Sequence, residues 1–191
     1  MYPLPDEYVV FSNGVDTWHR GLKQTKSWEH KYWEQLIAMT DIPFIQVGTT
    51  FDLPVYGAID IRGKTTISQL LGLLHDAKAI VCTEGGIMHL AYAVGNYNTI
   101  VMRGPTRGMF YHYPQLHNLD SYLCEKCHWL DGDWYKDCYY RLDTICMKSI
   151  TPMRVYNTLE AILDEDMVEN AYNPSVQLDD CMELSSTGIS M

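Results

Sequence analysis

Apolar positions along the chain fall into short blocks whose period changes from one to the next. Tyr8-Val9-Val10-Phe11 is a strand-like run, Glu29 to Met39 sets Tyr32, Trp33, Leu36 and Ile37 at helical spacing, and Pro43-Phe44-Ile45-Gln46-Val47 is strand-like again. The periods read β, α, β. The rhythm continues with Ala58 to Ile61 as a strand, Thr65 to Ala77 as a helix, Ala79 to Cys82 as a strand, Ile87 to Val94 as a helix and Thr99 to Met102 as a strand. Several strand blocks are apolar at successive positions, as in strands covered on both faces. The pattern predicts an α/β fold: a Rossmann-like parallel sheet with helices on both faces and ligands beyond the carboxyl ends of the strands. The loops after Phe11, Val47, Cys82 and Met102 are therefore the places to seek a site.

Beyond Thr106 the rhythm fails in an aromatic stretch containing Phe110, Tyr111, Tyr113 and Tyr122, followed by a segment holding Cys124, Cys127, Cys138 and Cys146. Thr151-Pro152 opens a last helix, a capping residue followed by proline at the first helical position, and this helix runs to about Asp164. Residues 1–123 and 147–165 thus form one Rossmann-like domain. Residues 124–146 are a cysteine knuckle inserted before the last helix, and 166–191 an acidic, flexible tail.

Composition narrows the function class. At 191 residues the chain suits one domain with a sizeable core. No apolar run approaches the roughly 20 residues of a membrane span, and the start is not a secretory signal. The expectation is a cytoplasmic protein. A net charge of −10 argues against nucleic-acid binding. Seven acids and no Lys or Arg lie from Asp164 onward, so the body is closer to neutral and can accept a small anion.

Val81-Cys82-Thr83-Glu84-Gly85-Gly86-Ile87-Met88-His89-Leu90-Ala91 joins a strand to a helix through paired glycines. Glycine admits a ligand to the backbone, and the helix's first amides and positive dipole end favour a phosphate. His89 lies near the first turn, placed to add a donor. A Gly-Gly turn also serves tight packing, and a lone histidine is often structural. At the end of the first strand Ser12 and Asn13 are further phosphate donors, although Asn13-Gly14 reads equally as a turn.

This segment resembles the Asp-Ser-Gly-Pro-Met-His-Leu-Ala-Ala-Ala signature of family 9 glycosyltransferases, whose best-known members move heptose from ADP-heptose onto lipopolysaccharide. Four neighbouring motifs agree in order. Thr25-Lys26-Ser27-Trp28 resembles the family's Lys-Arg-Trp, and Asp60-Ile61-Arg62-Gly63-Lys64-Thr65-Thr66 its Asp-Leu-Arg-Gly-Lys-Thr-Ser. Arg103-Gly104-Pro105-Thr106 resembles Phe-Gly-Pro-Thr, and Met147-Lys148-Ser149-Ile150-Thr151-Pro152 resembles Met-x-x-Ile-x-Pro. The resemblance implies the nucleotide-sugar-binding half of a GT-B fold. It puts Lys26 on the diphosphate, Gly85, Gly86 and His89 in an anion cradle, and Glu84 toward the sugar or ribose. Lys26 also reads as a surface lysine, and Glu84 as a helix N-terminal acid. Arg103 replaces an apolar residue of the family and either binds an anion or faces solvent.

Cys124-x2-Cys127-x10-Cys138-x7-Cys146 has the spacing of a tetrahedral thiolate site, for which Zn²⁺ is the usual ion and Fe the competitor. Family members that glycosylate autotransporters carry a similarly placed iron-binding finger. A filled site of this kind is structural. His128 reads as a bystander, Cys82 as a small core residue and Cys181 as an incidental thiol of the tail.

The resemblance implies a glycosyltransferase-like domain that binds ADP-heptose or another nucleoside-diphosphate sugar. The alternatives are a non-catalytic nucleotide-binding module and an assembly protein reusing the fold. Family 9 enzymes place the acceptor site and base in a preceding domain. Transfer is therefore expected to need a second chain, a second copy or the rest of a longer protein of which this is a fragment to complete the cleft, and the catalytic residues stay unassigned.

Overall fold

The computed structural model describes residues 4–14, 25–106, 112–121, 123–124, 126–130, 132–133 and 135–164. The expected tail 166–191 with Cys181, and Phe110, Tyr111 and Tyr122 of the aromatic stretch, lie outside the described residues. The strands are β1 (Val9–Ser12), β2 (Phe44–Gln46), β3 (Ile59–Asp60), β4 (Ala79–Thr83), β5 (Thr99–Arg103) and β6 (His117–Asp120). The helices are α1 (His30–Ile37), α2 (Ile67–Asp76), α3 (Gly86–Ala93), α4 (Ile145–Lys148) and α5 (Pro152–Leu163). All strand pairs are parallel, and the order across the sheet is β3-β2-β1-β4-β5-β6. This is the doubly wound Rossmann-type order, whose direction of winding reverses between β1 and β4.

Strand alternation assigns the helices to faces. Val9, Phe11, Phe44, Val81, Ile100 and Met102 point to one side, where they pack with Trp33 and Leu36 of α1, Met147 of α4 and Val155 and Leu159 of α5. Val10, Ile45 and Ile80 point to the other, against Leu73 and Leu74 of α2 and Ala91 of α3. Each large side chain buried in this way contributes about 1.5 to 3 kcal/mol. Phe11, Trp33 and Trp28 form an aromatic chain, with centroids 5.0 and 4.8 Å apart. The Trp28 indole N–H donates to the Ile150 carbonyl at 2.6 Å, so residues just before α1 are tied to the approach to α5.

Local signals set the helix starts. Thr66 and Gln69 form a reciprocal capping box at α2, and the Thr151 hydroxyl accepts from the Arg154 amide at α5, with Pro152 in the first turn. Three expectations need correction. The strand expected over Ala58 to Ile61 is reduced to Ile59–Asp60, because it is an edge strand whose two residues are exposed. Sequence reasoning missed β6, whose residues His-Asn-Leu-Asp have one buried apolar side chain; its pairing with β5, not its own pattern, makes it a strand. It also missed α4, a single turn inside the cysteine-rich segment.

Candidate functional site

The reversal of winding opens a crevice at the carboxyl ends of β1 and β4, where Ser12 pairs with Cys82. Ser12 is buried there. Asn13, beside it, is committed to the scaffold: its amide donates to the Leu53 carbonyl at 2.8 Å and its oxygen accepts from Gln46 Nε2 at 2.9 Å.

Across the crevice, β4 runs into Glu84-Gly85-Gly86 and then α3. Gly85 is the residue before the helix, at φ 157° and ψ −157°. A Cβ built on Gly85 or Gly86 would meet nothing within 4 Å, so the glycines do not serve close packing and the backbone of the turn is open to approach. Glu84 is buried, with its amide bonded to the Met102 carbonyl at 3.2 Å. Its carboxylate forms an ion pair with Lys26 Nζ. Lys26 and Glu84, 58 positions apart in sequence, therefore meet at one point, which neither surface reading anticipates. His89 stands one turn into α3, with Nδ1 2.8 Å from the Tyr113 hydroxyl. Tyr113 is a member of the site region that sequence reasoning passed over as part of an aromatic stretch.

Arg103 is neither solvent-facing nor exposed: it is 3% accessible and its guanidinium pairs with Asp120 on β6, with His112 Nδ1 at 3.0 Å. Parallel register brings Arg103 opposite Asp120, so the pair acts as a polar clasp between the last two strands. Lys126 adds a second cation, 3.2 Å from Asp120 Oδ1, and also donates to the Arg103 and Gly104 carbonyls at 3.2 and 2.8 Å.

The Gly104-Pro105 turn is the platform on which the cysteine segment docks. A Cβ on Gly104 would lie 2.4 Å from Met147 Sδ and 3.2 Å from Cys146 Sγ. The His128 amide donates to the Pro105 carbonyl at 3.1 Å. Cys82, Cys124, Cys127, Cys138 and Cys146 are free thiols. Burial, followed by the nearby Cys124, Cys127 and Cys138, pushes Cys146 up to about 12, and Cys127 is raised by burial with Cys138 and Cys124 adding to it. Among the described residues, however, no group of three or more His, Cys, Asp or Glu side chains is gathered as a metal site, so the expected knuckle is not formed as such. Of the four cysteines only Cys146 lies in a regular element, the single turn α4. Cys82 lies in β4 as the expected core residue, its thiol pushed up to about 12 by burial.

The Asp60 to Thr66 motif closes on itself. Arg62 grips Asp60 through two bonds of 2.8 Å, and Lys64 Nζ donates to the Asp60 carbonyl at 2.7 Å. The Arg62 bond is the main cause that lowers Asp60 to about 2. These charges shape the turn into α2.

The family model described as Glycosyltransferase family 9 (heptosyltransferase) matches residues 52–119. That stretch holds β3 through nearly all of β6, including the Glu84 to His89 turn. Over those residues the chain is similar to glycosyltransferase family 9. Solved glycosyltransferase structures share its fold. The E. coli ADP-heptose LPS heptosyltransferase II is 20% identical with a TM-score of 0.62, over 84% of this chain and 47% of that one. The iron-containing dodecameric glycosyltransferase TibC from enterotoxigenic E. coli H10407 is 19% identical with a TM-score of 0.67, over 85% and 47%. TibC in complex with ADP-D-beta-D-heptose is 19% identical with a TM-score of 0.65, over 85% and 46%. The chain spans about half the length of these structures. No curated protein matches it. Among the described residues, no helix is long and apolar enough to cross a membrane.

Proposed function

We propose that this chain is the donor-binding domain of a family 9 glycosyltransferase, taking a nucleoside-diphosphate sugar of the ADP-heptose type at the crevice between β1 and β4. The observation that carries this reading is the turn Glu84-Gly85-Gly86. Its glycines have open space where side chains would stand, its amides open α3, and Lys26 and His89 flank it. Backbone amides at a helix start and a lysine point charge are the chemistry a diphosphate requires. The structurally similar TibC binds ADP-D-beta-D-heptose.

Breaking the bond from sugar to diphosphate leaves negative charge on the phosphate oxygens. The α3 amides, Lys26 and His89 stabilise that charge where it develops. Glu84 holds Lys26 in place and also partly neutralises it, so a diphosphate competes with Glu84 for the ammonium. The acceptor and its base come from the opposite wall of the cleft, supplied by a further domain, a second chain or a second copy. On this reading the catalytic residues lie outside the residues assigned here, and the isolated chain binds donor without transferring sugar at an enzyme-like rate.

The same reading gives the cysteine segment, residues 124–146, a structural Zn²⁺ or Fe ion. Four cysteines with metal-site spacing lie in that segment, thiolate is the donor both ions prefer, and TibC is iron-containing. The ion would tie the segment to the Gly104-Pro105 turn and take no part in transfer.

Calorimetry with ADP tests the donor site. The Lys26→Ala, His89→Ala double variant should bind ADP weaker by a few kcal/mol, the scale of lost charge-assisted hydrogen bonds. Unchanged affinity would put the nucleotide elsewhere.

A further inference from the structure

We propose that Tyr113 is a positioning residue of the donor site, whose hydroxyl fixes the His89 ring as the tautomer with its proton on Nε2. The proposal rests on the donor-site reading above.

The contact is well built. The Tyr113 hydroxyl lies 2.8 Å from His89 Nδ1, and the two rings meet edge to face with centroids 5.6 Å apart at 83°. Tyr113 is itself stacked on Tyr92, at 3.9 Å and 16°. Tyr92 follows His89 by three positions on α3, so it stands on the same side of the helix. The Tyr113 ring also packs against the Cys82, Met88, Val101 and Leu116 cluster. Its backbone carbonyl accepts from the Leu116 amide at 3.0 Å and from Asn118 Nδ2 at 2.9 Å. Tyr113 is therefore held at its ring and at its backbone, and the hydroxyl is a fixed reference point for His89.

Chemistry then sets the direction of the proton. A phenol is ordinarily protonated near neutral pH, with a reference pKa of about 10, and donates its O–H. Neutral His89 accepts that proton's bond at Nδ1, which places the ring's own proton on Nε2. Protonated His89 donates from Nδ1 to the phenol oxygen and still carries a proton on Nε2. In both states Nε2 is a donor. A histidine locked in this way suits an anion and is disfavoured as a general base at Nε2, since accepting a proton there would require the other tautomer. Thus Tyr113, from the loop between β5 and β6, selects anion recognition as the task of a histidine on α3.

The Tyr113→Phe variant keeps the ring that stacks on Tyr92 and removes only the hydroxyl. Nitrogen-15 NMR of the His89 ring in the nucleotide-free chain should report the Nε2–H tautomer for the parent and a substantial Nδ1–H population in the variant. An unchanged tautomer in the variant overturns the proposal. Calorimetry with ADP should show about a three- to tenfold loss of affinity in Tyr113→Phe, the scale of one hydrogen bond. The same substitution in a His89→Ala background should change affinity less than twofold, because a positioning residue has nothing left to position. A parent that binds ADP while Tyr113→Phe binds equally well overturns the role of Tyr113 alone. A parent that does not bind ADP overturns the donor-site reading, and the tautomer measurement still decides whether Tyr113 governs the ring.

Discussion

On the β1–β4 side of the sheet's carboxyl edge, position is set by regular backbone; on the β5–β6 side it is set by side chains. Gly85 and Gly86 stand where they do because β4 is locked between β1 and β5 and because α3 packs on the sheet. The platform at Gly104-Pro105 is held by Lys126, by the His128 amide and by Met147, all from the segment that follows β6. That segment also carries the non-glycine residues at positive φ found among the described residues, namely Trp129, Arg141, Asp143 and Thr144. Each such residue costs on the order of 1 kcal/mol or more, so the cysteine segment needs an opposing interaction that the β1–β4 crevice does not. The comparison teaches that the Gly85-Gly86 turn is robust and locally encoded, whereas its neighbour depends on a few polar and apolar contacts.

The largest expected effect breaks the weaker side. In protein purified without added metal, elemental analysis should find about one Zn or Fe per chain, and Cys127→Ser should lose it. That variant should lose several kcal/mol of stability, a fraction of the roughly 10 to 16 kcal/mol with which structural Zn²⁺ sites bind. Hydrogen exchange should speed up around residues 124–146 before it does in β1 and β4. A full metal complement in Cys127→Ser rejects the site.

Next in size is the clasp between β5 and β6. Asp120→Ala leaves Arg103 buried with its main counter-charge removed and should cost about 3 to 5 kcal/mol in urea unfolding. A loss below about 1 kcal/mol, the level of an exposed pair, would mean that the backbone ladder alone holds β6.

A matched pair of glycine substitutions sharpens the contrast. Gly104→Ala must push its Cβ into Met147 and should destabilise by about 1 to 3 kcal/mol. Gly86→Ala meets no neighbour within 4 Å and should leave the melting temperature nearly unchanged, yet it should weaken ADP binding by crowding the turn. Equal stability losses in the two variants would erase the distinction between a packed glycine and an open one.

The smallest effect concerns pH. The bond from Arg62 lowers Asp60 from 3.8 to about 2 in the folded chain. A lowered carboxylate adds stability above its unfolded value, so the Asp60 contribution is complete above about pH 4 and fades toward pH 2. The Asp60 side chain is 41% exposed, and solvent screening keeps the contribution below about 1 kcal/mol. Acid unfolding of the native chain and of Asp60→Asn should differ slightly near pH 5 and converge near pH 2; a constant offset across that range would exclude the ionised pair as its source.

Much of the fold was legible because its signals are local. Val9 to Phe11 and Ala79 to Cys82 are apolar at every position, as buried parallel strands must be, and Thr66 and Thr151 carry their helix caps within three residues. The Gly85-Gly86 turn was visible for the same reason. The edge strands were harder: Ile59–Asp60 is shorter than its pattern, and His117–Asp120 has hardly any pattern.

By itself the sequence determined the alternation of elements, the parallel sheet it requires and the loops that border its carboxyl edge, because backbone hydrogen bonding and apolar burial follow a period that neighbouring residues spell out. Tertiary structure alone decided that Lys26 meets Glu84, that Arg103 turns inward to Asp120, and that Tyr113 reaches His89. Those pairings lie 58, 17 and 24 positions apart in the chain. A polar side chain's partner is chosen by which strand ends and loops the sheet brings side by side, and no short-range pattern records that choice.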